Sequence, residues 1–167
     1  PEYRVFAENA GAHVVTVLCR EPDFQLDIKA IESAVNEKTK AIIINSPNNP
    51  TGAVFSPDTI KALSDMLVRK QAEYGTDIYI IADEPYRELS YGAEVPYIPK
   101  YYANTAVCYS YSKSLSLPGE RIGYIFIPES ANNSKKLYAA VCGAGRALGF
   151  VCAPSLMQYT VAECTDV

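Results

Sequence analysis

The chain has 167 residues, 49% of them apolar and 20% charged, and a formal net charge of -4. That length and composition suit one globular domain with its own core, and an acidic balance with no basic block argues against nucleic acid as a partner. His13 is the only histidine, which argues against a histidine metal cluster or a Ser-His-Asp triad and leaves His13 a structural residue at a strand start; the five scattered cysteines form no Cys-x-x-Cys pair and suit reduced thiols in a cytoplasm.

No stretch is long and apolar enough to span a bilayer, and no secretory signal opens the chain, so no membrane partner is expected. The first residue is Pro1 and the sequence begins in mid-pattern, so a piece of a longer protein is expected.

In chain order, Glu2 to Ala10 predicts a helix stopped by Gly11. Ala12 to Leu18, with Val14, Val15 and Val17, predicts a strand. Asp27 caps a second helix, with Leu26 packing on Ile31 and Ile28, Ile31 and Val35 on one face. Ala41 to Ile44 is a short β-branched run bounded by polar residues, the pattern of a strand buried on both faces. Asn45 to Gly52 is a loop. Ser56-Pro57 opens the next helix, with Ser as cap and Pro in the first turn. Its buried stripe is Ile60, Leu63 and Leu67, and Gly75 ends it.

Ile78 to Ala82 is the next buried strand, running into Asp83-Glu84-Pro85-Tyr86. Arg87 to Asn104 is a long irregular connection rich in Tyr and Pro, expected to be packed near a site or interface. Ala106 to Tyr109 predicts the strand that delivers Ser110 and Lys113. Ile122 to Ile127 follows with no crossover helix, so it should run antiparallel. Ser130 to about Leu148 reads as a helix with Leu137 and Val141 inward, and Pro154 to Glu163 as another.

Strands alternating with helices predict an α/β fold: a mostly parallel sheet with helices on both faces, a three-layer α/β/α arrangement. Ligands in such folds sit beyond the carboxyl ends of the strands. Three strands here end in polar motifs, at Asn49, at Asp83, and at Ser110 and Lys113, so those residues should meet in one crevice.

A pyridine aldehyde phosphate would use every one of them. The Lys113 amine can form an imine with the aldehyde, provided desolvation or neighbouring cations help an amine that normally titrates near ~10.4. Asp83 can hold a proton on the ring nitrogen, which makes the ring an electron sink. Asn49 and Tyr86 can donate to the ring oxygen, while Ser110 and Arg121 grip the phosphate with Ser112 beside them. Each has a plain reading too. Asp83 could be a cap, Asn49 a turn residue between prolines, Lys113 a solvated loop lysine, and Arg121 a surface partner of Glu120 or Glu129.

The motifs Ser46-Pro47-Asn48-Asn49-Pro50-Thr51-Gly52, Ala82-Asp83-Glu84-Pro85-Tyr86 and Ser110-Tyr111-Ser112-Lys113, with Gly119-Glu120-Arg121-Ile122-Gly123 after them, resemble the class I/II aminotransferases of the aspartate aminotransferase fold, fold type I. The resemblance covers nearly the whole chain in family order. It implies pyridoxal 5'-phosphate as cofactor and Lys113 as the catalytic lysine that holds it and carries protons. It also implies Asp83 on the pyridine nitrogen, Asn49 and Tyr86 on the ring oxygen, and Ser110, Ser112 and Arg121 on the phosphate. The reaction implied is transfer of an amino group between an L-amino acid and a 2-oxo acid, in a cytoplasmic homodimer.

The family's Gly-rich phosphate loop, ring-stacking aromatic, first strands and small C-terminal domain have no counterpart in residues 1–167. The stretch is therefore expected to be the central part of the cofactor-binding large domain, inactive when isolated. Arg146 could reach a substrate carboxylate across a dimer interface or be a plain helix-surface arginine. Two other outcomes share the same cofactor residues: a lyase cutting a carbon-sulfur bond, and a non-catalytic cofactor-binding regulatory module.

Overall fold

A four-stranded mixed sheet organises the molecule, and its strands lie in the order in which the chain makes them. This computed structural model describes residues 2–164. The elements are α1 (Glu2–Asn9), α2 (Ile28–Ala34), β1 (Ala41–Asn45), α3 (Pro57–Tyr74), β2 (Tyr79–Asp83), β3 (Thr105–Ser110), α4 (Tyr111–Ser114), β4 (Gly123–Phe126), α5 (Ser134–Ala147) and α6 (Ser155–Glu163). β1, β2 and β3 are parallel, and β4 joins β3 antiparallel, as its short connection requires.

Local chemistry explains the helices. Asp27 Oδ1 accepts from the Ala30 amide at 3.0 Å, and Ser56 Oγ accepts from the Thr59 amide at 3.1 Å, so each cap satisfies a donor that the first turn leaves free. Gly75 ends α3 at φ 64, a left-handed conformation that a side chain would oppose. Ile60, Leu63, Met66 and Leu67 of α3 are shut from solvent, together with Ile31 of α2 and Ile44, Ile80, Ala82 and Val107 of the sheet. Each such fully buried apolar side chain contributes roughly 1.5–3 kcal/mol.

The register sorts the side chains. Ile44, Ala82, Val107 and Phe126 are cross-strand partners and share the α3 face. Asn45, Asp83 and Cys108 are partners on the other face, as are Ser110 and Gly123 further along it. Cover there is thinner: Tyr3 of α1 reaches Asp83, and the Tyr79 hydroxyl donates to the Asn132 carbonyl at 2.7 Å. Helical cover is thus close over β1 to β3 on the α3 face, where Phe126 of β4 stays 41% exposed, and thinner on the other.

Two expectations fail. Ala12 to Leu18 forms no strand. A strand needs a neighbour for its amides and carbonyls, and no strand among the described residues pairs with it; Val17 still packs on the core, while Leu18 is exposed. His13 is accordingly not at a strand start. The helix expected from Ser130 begins at Ser134, and it buries none of its residues; Leu137 and Val141 are only half-buried because little packs against them. Among the described residues no helix is long and apolar enough to cross a membrane.

Candidate active site

The carboxyl ends of β1, β2 and β3 carry a connected set of polar side chains. Asp83 closes β2 on the sheet face away from α3, with Asn45 beside it on β1. Asn45 Nδ2 donates to the Asp83 carbonyl at 2.9 Å and makes a long contact of 3.5 Å to Asp83 Oδ2. Asn45 Oδ1 in turn accepts from the Asn49 backbone amide at 3.0 Å and from Asn48 Nδ2 at 3.3 Å. Asn49 Nδ2 donates to Tyr86 Oη at 3.0 Å. Lys113 Nζ lies over the Tyr86 ring, 5.8 Å from its centre. An unbroken run of contacts therefore leads from Asp83 through Asn45, Asn49 and Tyr86 to Lys113.

The β1–α3 loop owes its shape to its own side chains. Asn48 Oδ1 accepts from Thr51 Oγ1 at 2.8 Å, and the Gly52 amide returns to the Asn48 carbonyl at 2.8 Å with Gly52 at φ 71. Asn, Thr and Gly are the residue types such a turn needs. Ser46 Oγ, buried, accepts from the Phe55 amide at 3.0 Å and ties the loop to its exit.

β3 supplies the hydroxyls. Ser110 caps α4, accepting from the Ser112 amide at 3.2 Å and donating to Ser112 Oγ at 2.7 Å. Lys113 follows within α4 and is exposed, with no ion pair or hydrogen bond among the described residues. The desolvation expected for it is not provided by the described residues. Gly123 faces Ser110 across the ladder, and an added Cβ would stand 2.3 Å from the Tyr109 carbonyl oxygen. Only glycine lets β4 approach β3 so closely.

Arg121 stands apart from this run. It is exposed, sits at φ 53 and donates from one guanidinium nitrogen to the Pro118 carbonyl at 2.7 Å. Arg146 is exposed in the last turn of α5.

Two residues here escaped the sequence reading. Asn45 was counted with the loop, yet it is the last residue of β1 and directly opposite Asp83; a polar side chain ending an apolar run was the available signal. Tyr3 donates its hydroxyl to Asp83 Oδ2 from 80 positions away, and no local pattern announces that.

The donor set fits a pyridine aldehyde phosphate. Asp83 Oδ1 has no hydrogen-bond partner among the described residues, because Tyr3 and Asn45 both address Oδ2. Tyr86 Oη accepts from Asn49 and keeps its own proton to donate. Arg121 uses one of its five N–H donors. The amine of Lys113 is unpaired.

The family model described as aminotransferase class I and II matches residues 1–166. A probable aspartate/prephenate aminotransferase of Aquifex aeolicus is 38% identical over 124 residues, 71% of this chain and 30% of that protein. The crystal structure of an amino transferase from Eubacterium rectale superposes with a TM-score of 0.91 at 60% identity, covering 94% of this chain and 40% of that one. Thermus thermophilus aspartate aminotransferase with maleate gives a TM-score of 0.73 at 31% identity, covering 86% of this chain and 36% of its own. The chain thus spans between 30% and 40% of the length of these relatives.

Proposed function

This chain belongs to the class I and II aminotransferases, and on that premise we propose that it is the central part of the large domain of a pyridoxal-phosphate-dependent enzyme, which moves an amino group between an L-amino acid and a 2-oxo acid. The observation that carries the reading is the run of contacts from Asp83 to Lys113. It links the Asp83 carboxylate, the Asn49 amide, the Tyr86 hydroxyl and the Lys113 amine at one end of the sheet.

Pyridoxal phosphate, when bound, supplies an electron sink for the charge that builds up at the substrate α-carbon. The chain's own residues do the rest. Asp83 Oδ1 would accept the ring N–H and keep that nitrogen protonated. Tyr86 Oη, steadied by Asn49, would donate toward the ring oxygen. Ser110 and Ser112 would offer hydroxyls to the phosphate, and Arg121, whose guanidinium suits phosphate, would supply N–H donors to it. Lys113 Nζ would hold the cofactor's aldehyde carbon, and when free its amine would hold and move the substrate α-carbon proton as general base and acid.

The parent protein works as a homodimer in this reading. The outward edges of β1 and β4 and large exposed apolar residues such as Phe6, Leu148 and Phe150 are surfaces for the rest of the parent to cover. L-Aspartate is the first donor to try, because relatives carry it in their names. The test is an assay of the parent with L-aspartate and 2-oxoglutarate against cystathionine without an oxo-acid acceptor. Amino transfer in the first supports the reading; pyruvate release in the second without transfer in the first replaces it with a lyase.

A further inference from the structure

We propose that Arg87 is a positioning residue for Tyr86: its guanidinium ties the start of the β2–β3 connection to the far side of that connection, and so holds the Tyr86 hydroxyl and ring where Asn49 and Lys113 meet them. The inference rests on the functional reading above and adds a residue to it.

Three observations carry it. The first is how the guanidinium is used. Nε donates to Glu84 Oε2 at 2.7 Å, one terminal nitrogen donates to the Val95 carbonyl at 3.0 Å, and the other donates to the Pro96 carbonyl at 2.9 Å. All three nitrogens are engaged by the chain itself, and the planar fork of an arginine fixes three such acceptors in one geometry. An arginine spent in this way serves the loop it closes. The second is the anchor. Glu84 is 2% exposed, and its amide donates to the Cys108 carbonyl at 2.9 Å, which fixes it to β3 one step past the end of β2. A buried carboxylate–guanidinium pair adds little net stability over apolar packing, so its value here lies in the geometry it sets. The third is place. Only Pro85 and Tyr86 separate Glu84 from Arg87. Tyr86 leads into the single helical turn Arg87–Leu89, where the Leu89 amide donates to the Tyr86 carbonyl at 2.9 Å, and this turn packs against α4, which carries Lys113. Clamped on both sides, Tyr86 is held ready for the donor from Asn49 and the amine over its ring, and a side chain held in advance loses less freedom when a ligand arrives.

The test uses the parent protein, prepared cofactor-free as wild type, Arg87→Met, Tyr86→Phe and the double variant. Hydrogen exchange is read first, without cofactor. Arg87→Met should speed exchange over residues 86–96 on the order of tenfold, as expected when charge-assisted hydrogen bonds are lost, and leave β1 to β3 protected. Pyridoxal 5'-phosphate is then added, and the pH midpoint of its absorbance is measured. Arg87→Met should move that midpoint in the same direction as Tyr86→Phe, because each takes the hydroxyl from the ring oxygen, and should add nothing in the Tyr86→Phe background. Wild-type exchange over residues 86–96 overturns the assignment, as does an unmoved midpoint or an equal shift in both backgrounds. Arg87→Lys keeps the charge beside Glu84 and gives up the three-way reach; it replaces Arg87→Met if that variant does not fold, with the same outcomes expected at smaller size. Failure of both to fold makes Arg87 a residue of the fold alone and overturns the assignment too. If wild type itself takes up no cofactor, the functional reading falls and the role of Arg87 falls with it; uptake by wild type with the midpoint of Arg87→Met unmoved removes Arg87 alone.

Discussion

Asn49 Nδ2 donates to Tyr86 Oη at 3.0 Å, and the ring below that hydroxyl carries Lys113 Nζ at 5.8 Å from its centre. Tyr86 thus has two separable parts. Its oxygen organises Asn49, and its ring faces the amine, an attraction worth about 0.5–1 kcal/mol at exposed sites. Tyr86→Phe keeps the ring and deletes the oxygen. Turnover of the parent should fall about fivefold, the value of one net hydrogen bond, with Lys113 still modified by cofactor. Steady-state kinetics with a cofactor-content assay checks this, and unchanged turnover in Tyr86→Phe would remove the hydroxyl from the site.

Gly123→Ala should disturb both fold and site. The new Cβ would lie 2.3 Å from the Tyr109 carbonyl oxygen and 3.1 Å from Ser110 Cα. Backbone cannot swing aside as a side chain can, so β4 and the end of β3 must separate at a cost of about 1–3 kcal/mol. Denaturant midpoints measure the stability loss. Because Ser110 moves with the strand, phosphate affinity of the cofactor-free parent should drop as well.

How much of this was legible in advance differs by residue. The strands at Ala41–Asn45 and Tyr79–Asp83 were readable because short β-branched runs report burial directly. The ends of α3 were readable because Ser56, Pro57 and Gly75 act on their own backbone. Asp83 and Asn49 were readable together because parallel strands deliver their last side chains to a common edge, where the two meet through Asn45; Arg121 does not join them. Ala12 to Leu18 misled because alternation encodes which side chains face inward, while a strand exists only if another backbone accepts its hydrogen bonds. Tyr3 and Asn45 were silent because their roles depend on which residues stand opposite, a property of the assembled sheet.

Cys108 should resist alkylation. Burial, then the charges of Asp83 and Glu84, push its thiol up to about 11, which leaves roughly a thousandth of it as the reactive thiolate at about pH 8. Cys142 and Cys152 are exposed. Iodoacetamide at limiting concentration, followed by peptide mass mapping, should label Cys142 and Cys152 well before Cys108. Early labelling of Cys108 would contradict its position beside Asp83 on the sheet.

Glu84 gives the molecule a specific pH response. It is 2% exposed, Oε2 accepts from Arg87 Nε at 2.7 Å, and Oε1 is buried with no partner among the described residues. Burial raises its pKa, and Arg87 pulls it part of the way back. A folded-state value above the unfolded one, near ~4.3, means the folded chain holds this proton longer. The site's contribution is therefore complete below the unfolded value and is lost as pH rises through the folded one. Urea midpoints from about pH 4 to 7 should show wild type losing ground to Glu84→Gln as pH rises. A difference that is flat, or that grows in favour of wild type, would contradict the burial of this carboxyl.

The most direct measurement is covalent trapping. The parent protein is given one equivalent of pyridoxal 5'-phosphate, reduced with borohydride, digested and mapped by mass. The account predicts a single cofactor adduct on the peptide bearing Lys113, absent from Lys113→Ala together with the cofactor's absorbance change. An adduct on another lysine, or equal labelling of Lys113→Ala, would contradict it.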